Sequence, residues 1–297
     1  MIHNNKLAKS ELLKIANDTN NFLKNFINKQ NKTFLLKAMR YGIFSGGKKI
    51  RSKILVDVGK IFKVDYKTLI IVSAAVECIH SYSLIHDDLP CMDNDDIRRG
   101  KFSTHKKFGE ATAVLAGNSL LMLAFEIIGS SELQIKDKAK SLLIYHLSKC
   151  SGHTGIAGGQ YLDLRFEHKK ISHSKIVDMQ IKKTGKLFSF CCIAPAIIKE
   201  KKISVIKDLV SIGSNIGLLF QVADDLLDYK GSSKDVGKKT KKDVESGKAT
   251  LINLIGHDKS IKFAYNLKNK IISKLKKYGK KSKNLIQSLE IIISRSS

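Results

Sequence analysis

Apolar residues recur at intervals of three and four along nearly the whole chain, as in Leu12, Ile15, Phe22 and Phe26 and again in Leu69, Ile70 and Val76. That spacing keeps a stripe on one face of a helix, and no stretch sustains the period-two alternation of a half-buried strand. With 2 Pro in 297 residues little interrupts such helices. The pattern predicts an all-α protein of about ten or more helices. Ser10, Ser172 and Ser204 read as helix openings, and Gly42, Gly100, Gly152, Gly231 and Gly256 fall where periodic runs end. No Pro/Gly/Ser-rich linker and no repeat divides the chain, so one domain spanning 1–297 is expected. The one long polar stretch, GSSKDVGKKTKKDVESG at 231–247, reads as solvent-facing filler or as a lid.

The formal charge of +26 would by itself suggest an anionic partner such as nucleic acid. Its distribution argues otherwise: 47 Lys against 6 Arg are spread evenly among many Asn and Ile, as a codon bias would give, and aromatics at 7% do not cluster with them. The five cysteines, Cys78, Cys91, Cys150, Cys191 and Cys192, are odd in number and lack metal-ligand spacing, so they read as free thiols in a reducing compartment. Residues 1–14 carry no secretory pattern. The longest apolar runs, such as Leu187 to Ile198, stop short of the ~20 residues of a membrane-spanning helix. A cytoplasmic protein with no nucleic-acid partner and no stable membrane insertion is expected.

Of 18 aspartates, eight lie in two short clusters, DDLPCMDNDD at 87–96 and DDLLD at 224–228. On a helix Asp224 and Asp228 share one face, with Gln221 beside them. Asp87 and Asp93 are spaced differently, because six residues place them on opposite sides of a regular helix. Pro90 supplies a break, and a two-residue bulge would restore their i, i+4 relation. Both clusters are flanked by apolar sequence, SYSLIHDD and LLFQVADD, which aims them into a cavity. Like charges packed there are costly unless a divalent cation compensates. Oxygen ligands with no His or Cys among them favour Mg²⁺ bridging carboxylates to substrate phosphates.

Phosphate needs cations, and the scarcity of arginine singles out Arg51, Arg98 and Arg99 as candidates for its planar bidentate fork. Gly46 and Gly47 before Lys48 would let the chain approach a phosphate closely, and Lys183, Thr184 and Gly185 form a second short basic motif.

These residues resemble the trans-prenyltransferase (polyprenyl diphosphate synthase) family. Its DDxxxxD motif is matched by Asp87, Asp88 and Asp93, and its DDxxD motif by Asp224, Asp225 and Asp228. GGKKIR at 46–51, HDDLPCMDNDDIRRG at 86–100, HKKFGEATAVLAG at 105–117, GGQYLDL at 158–164, KTGKLF at 183–188 and FQVADDLLD at 220–228 follow in family order. The resemblance implies an isoprenoid-synthase-type helical bundle around a central cavity, usually a homodimer, joining isopentenyl diphosphate to an allylic diphosphate. About three Mg²⁺ would be held by Asp87, Asp93, Asp224 and Asp228. Asp88 completes the first motif and is expected to share in catalysis. Arg98, Lys183, Thr184, Gln221 and Lys238 would hold the allylic diphosphate, with the 231–247 loop as its lid, and Lys48, Arg51, His80 and Arg99 the isopentenyl diphosphate. His86 is given a packing or hydrogen-bonding role.

Chain length in this family is set by the cavity floor, here Tyr82 and Ser83, one turn or so before Asp87. A large ring there would stop growth near about fifteen carbons, predicting farnesyl diphosphate as product, with geranylgeranyl diphosphate as the alternative. Ser52 and Phe102 stand where the family commonly has proline, Lys49 where arginine is usual, and Asn118 where an aspartate is expected. A terpene cyclase would not need GGKKIR and RRG, and a non-catalytic subunit would be expected to have lost part of an aspartate motif.

Overall fold

The structure, a computed structural model, describes the backbone of residues 2–234 and 248–294 and the side chains of 8–229 and 248–294. Fourteen α-helices occur among the described residues, with one short hairpin, a π-helical turn at Ile181–Gly185 and a 3-10 segment at Lys276–Ser282. The all-α expectation is met. Contacts divide the chain into two compact units, Lys6–His146 with Ala194–Lys201, and Met1–Asn5 with Leu147–Ile193 and Lys202–Ser297.

The first unit holds most of α1 (Ile2–Asn28), α2 (Phe34–Ile43), α3 (Ile50–Ile61), α4 (Tyr66–Asp87), α5 (Thr104–Phe108), α6 (Glu110–Gly129) and much of α7 (Asp137–Ser151); α2, α3 and α6 pack against α4, and α5 lies against α2 and α6. Leu69 through Ile79 are buried without interruption, which is why α4 is apolar on every side rather than striped. Asp65 caps α4 by accepting from the Thr68 amide at 3.0 Å, and Thr33 caps α2 by accepting from Leu36 at 3.1 Å. The Tyr66 hydroxyl donates to Asp18 at 2.7 Å and fastens α1 to the start of α4.

In the second unit are α8 (Ile156–Phe166), α9 (His173–Gln180), most of α10 (Lys186–Ile198), α11 (Ile203–Lys234), α12 (Leu251–Ile255), α13 (His257–Leu275) and α14 (Lys283–Ile293). Here α11 is the shared surface, meeting α13, α14 and the π turn.

Several sequence expectations need correction. Ser10 opens nothing: α1 is already helical from Ile2, and an exposed serine side chain inside a helix is left to solvent. Gly42 lies within the last turn of α2, and α11 continues past Gly231 to Lys234, so the polar stretch begins as helix. The rest of that stretch, with Lys238, lies outside the described residues. Ser172 does stand at the N-cap of α9. By length and composition alone, Tyr66–Asp87, Glu110–Gly129 and the Ile203–Tyr229 part of α11 are long and apolar enough to cross a membrane. Uninterrupted apolar runs miss them because Ser, His and Asn interrupt a run without lowering the average much. In the first, 78% of the apolar window is buried inside the protein.

Four of the five thiols are buried and Cys91 is exposed, all unbridged. Burial pushes Cys78, Cys150 and Cys192 well above the usual thiol range, which leaves them inert.

Candidate active site

The first acidic motif sits where α4 is forced to stop. Pro90 has no amide to continue the helix, so α4 ends at Asp87, and the Asp88 amide makes the closing bond to Leu84 O at 3.1 Å. The chain then doubles back in a backbone-bonded turn. Asp93 N donates to Asp87 O at 2.8 Å, Asn94 N to Leu89 O at 3.1 Å and Asp95 N to Asp88 O at 3.1 Å, with Asn94 in the left-handed region at φ 49°. This corrects the expected bulged helix. A six-residue loop closed by the main chain, not a restored helical period, brings Asp93 back to Asp87.

Asp88 is 3% exposed and turns inward, accepting from Arg98 Nε at 2.9 Å and from Arg98 Nη2. Arg98 Nη2 also reaches Asp95 Oδ2 at 3.1 Å. Burial raises the Asp88 carboxyl above its usual range, outweighing the guanidinium beside it. Burial works against the Arg98 charge, yet Asp88, Asp87 and Asp93 hold it more firmly protonated than usual. Asp88 thus acts on Arg98, fixing the plane of its fork.

Arg98 and Arg99 are presented by the hairpin of β1 (Ile97–Arg98) and β2 (Lys101–Phe102), whose two turn residues, Arg99 at φ 53° and Gly100 at φ 75°, both lie in the left-handed region. Sequence periodicity missed it because strands of two residues have no alternation to read. The turn throws Arg99 onto the 46–49 segment, where its Nη1 donates to Gly46 O. Gly47 sits at φ 108°, a conformation that favours glycine, and its bare Cα leaves the Arg99 guanidinium room to lie against it. Arg51 Nη1 lies 3.3 Å from His80 Nε2. Guanidinium only donates, so His80 Nε2 accepts and the ring proton sits on Nδ1. Burial, then the charges of Arg51, Arg99, Lys49 and Arg98, push His80 well below its ordinary value. The structure therefore gathers Arg51, His80 and Arg99 beside the exposed Lys48, an excess of positive charge suited to a diphosphate.

Tyr82 and Ser83 are both buried on α4. The Tyr82 ring stands edge-on to His86 at 5.7 Å, His86 Nε2 pairs with Val114 O of α6 at 3.0 Å, and Ser83 Oγ donates to His80 O at 2.9 Å. Burial, then the Asp87 charge, pushes the Tyr82 phenol up to about 12, so it stays neutral.

In the second unit the π turn places Lys183 and Thr184. Its extra residue per turn, marked by Lys186 N bonding Ile181 O, rotates these side chains out of α-helical register. Lys183 Nζ donates to Asp163 Oδ2 of α8 at 2.6 Å. Gly159 lets α8 come this close, since a Cβ there would lie 2.2 Å from Lys183 N. Thr184 Oγ1 donates to Gln221 Oε1 at 2.9 Å, and Gln221 Nε2 to Asp225 Oδ1 at 2.9 Å. Gln180 Nε2 reaches Asp225 Oδ2 at 3.2 Å. The central Asp225, 5% exposed, is thus held by two amides, while Asp224 is half-buried and Asp228 exposed on α11. Sequence reasoning missed Asp163 and Gln180. The GGQYLDL segment held the signal for Asp163, four residues after Gly159 on the same helix face.

Each motif thus turns its middle aspartate into the protein. Among the described residues no three His, Cys, Asp or Glu side chains cluster closely enough to hold a metal by themselves. The outer aspartates fit Mg²⁺, which takes one or two carboxylates and completes its octahedron with phosphate and water oxygens.

The polyprenyl synthetase family model matches residues 32–289. The chain belongs to that family. It is 42% identical over 267 residues to a farnesyl diphosphate synthase of Buchnera aphidicola, covering 89% of each chain. Among solved polyprenyl synthetase relatives, an FPP/GFPP synthase from Zymomonas mobilis superposes at TM-score 0.86 with 34% identity, over 97% of this chain and 99% of that one. A geranyltransferase from Helicobacter pylori, complexed with magnesium and isoprenyl diphosphate, superposes at 0.79 with 30% identity, over 95% and 96%. The fold is the all-α isoprenoid-synthase fold, as expected.

Proposed function

We propose that the chain is a farnesyl diphosphate synthase, joining isopentenyl diphosphate head to tail with dimethylallyl and then geranyl diphosphate. The observation that carries the product is Tyr82, 8% exposed and five residues before Asp87 on α4, its ring braced by His86 against α6. A prenyl tail running down α4 from the acidic turn meets a ring there. The names of the family relatives support the same chemistry.

In this reading Arg51, His80, Arg99 and Lys48 hold the isopentenyl diphosphate, His80 acting both by its Nδ1 proton and by steadying Arg51. Arg98, Lys183, Thr184 and Gln221 hold the allylic diphosphate, joined by Lys238. Asp87, Asp93, Asp224 and Asp228 are the magnesium ligands, with Asp88 and Asp225 orienting Arg98 and Gln221. Magnesium held there, about three ions in this reading, would supply the positive charge that stabilises the departing diphosphate. The allylic C–O bond breaks, the isopentenyl double bond attacks the cation, and a proton is lost to the released diphosphate, so no side-chain base is needed. The apolar wall of α4 keeps water from the cation.

The family match runs through both units, which supports one prenyltransferase domain over 1–297. Val114, Leu115 and Met122, exposed on α6, support a homodimer, and a cytoplasmic location accords with the chemistry. The deciding experiment incubates purified protein with Mg²⁺, isopentenyl diphosphate and each allylic diphosphate and sizes the dephosphorylated alcohols. Farnesol is expected, with nothing formed when magnesium is chelated; no prenyl alcohol under any condition would overturn the reading. Tyr82→Ala should shift the product to twenty carbons or about that length, and an unchanged product removes Tyr82 as the floor.

A further inference from the structure

Glu77 lies in the middle of the uninterrupted buried run of α4, 1% exposed, where a carboxylate costs several kcal/mol unless its oxygens are matched. Both are. Ser52 Oγ donates to Oε1 at 2.7 Å, and Lys49 Nζ stands 3.3 Å from Oε2 with both side chains under 5% exposed. Lys49 and Ser52 bracket the start of α3: Lys49 is its N-cap residue, held in the left-handed region at φ 51°, and Ser52 is in its first turn. Arg51 lies between them and is taken instead by His80, three residues beyond Glu77 on α4. One face of α4 therefore grips three of the four residues from 49 to 52, Glu77 taking two and His80 the third.

We propose that Glu77 is a positioning residue for isopentenyl diphosphate, a role that rests on the function proposed above. Its negative charge at the α3 N-terminus suits the helix dipole and neutralises Lys49. Its charge also reaches Arg99, the other cation of this corner, without bonding it. With both oxygens engaged, Glu77 sets the rotation of the first turn of α3, and so the direction in which Arg51 leaves it. The turn through Gly46, Gly47 and Lys49, all at positive φ, is held by Glu77 through Lys49 and by Arg99 through Gly46 O.

The test measures isopentenyl diphosphate binding by calorimetry in the absence of metal, and KM for isopentenyl and geranyl diphosphates with Mg²⁺. Glu77→Gln should weaken isopentenyl diphosphate about ten- to hundredfold while KM for geranyl diphosphate moves less than about twofold. Ser52→Ala, which removes one neutral hydroxyl and should fold, should give the same split at about fivefold. Adding Lys49→Met to Glu77→Gln should recover part of the loss, because the double variant no longer buries an unpaired ammonium. Equal rises for both diphosphates, or no change in Ser52→Ala, overturn the positioning role. Failure of the unaltered protein to bind isopentenyl diphosphate at all would instead overturn the proposed function.

Discussion

A single imidazole shows how burial sets chemistry at the residue scale. His80 accepts from Arg51 and so is neutral in the fold, with its pKa well below the free value. As pH falls below about 6.5 the unfolded chain takes up a proton that the folded chain refuses. Stability contributed by a neutral His80 is thus present above that pH and declines below it, down to the much lower pH at which the folded ring protonates. Urea unfolding between pH 7.5 and pH 5 should show this slope, and His80→Gln should flatten it; an identical slope in the variant would contradict the neutral assignment. At this scale the sequence spoke where residues were rare or clustered, as with Arg51, Arg98, Arg99 and the aspartates. Spacing put Glu77 on the same helical stripe as Leu69, Ile70, Ser73, Val76 and His80 but said nothing of its partners, and it gave Asp163 no role, because both acids are matched by residues distant in sequence.

Elements carry the precision of the site through close backbone approach. Gly159 of α8 touches the Lys183 amide, and that contact lets Asp163 reach the Lys183 ammonium. Gly159→Ala should push α8 away, costing about 1–3 kcal/mol in stability and lowering kcat through Lys183. Urea titration and steady-state rates check both, and wild-type values in each would show that the packing yields freely. Helix type and approximate extent were legible because apolar spacing reports burial directly. The π turn, the hairpin and the loop after Asp88 were not, since each is decided by one or two main-chain bonds that leave no period behind.

For the whole molecule, an apolar surface in so charged a chain is the informative exception. Val114, Leu115 and Met122 stand exposed on α6 although the formal charge is +26. If a second copy covers them, native mass spectrometry will show a dimer of 33.1 kDa chains, and Leu115→Lys with Met122→Lys will give monomers that keep their helical circular dichroism. A monomer in the unaltered protein would remove the dimer. Net charge also overstates the basic surface: Lys49 and Lys53 are buried in ion pairs, so part of the lysine count is structural.

The loop from Asp87 to Asp95 has a further consequence. Its shape is written in amide-to-carbonyl bonds, and Pro90, Cys91 and Met92 at its crest face solvent. Point substitutions at Cys91 and Met92 therefore leave the acidic pair in place, whereas inserting or deleting one residue there slides every donor off its acceptor. Such a stretch can drift in spelling across descendants while its length is conserved by geometry alone.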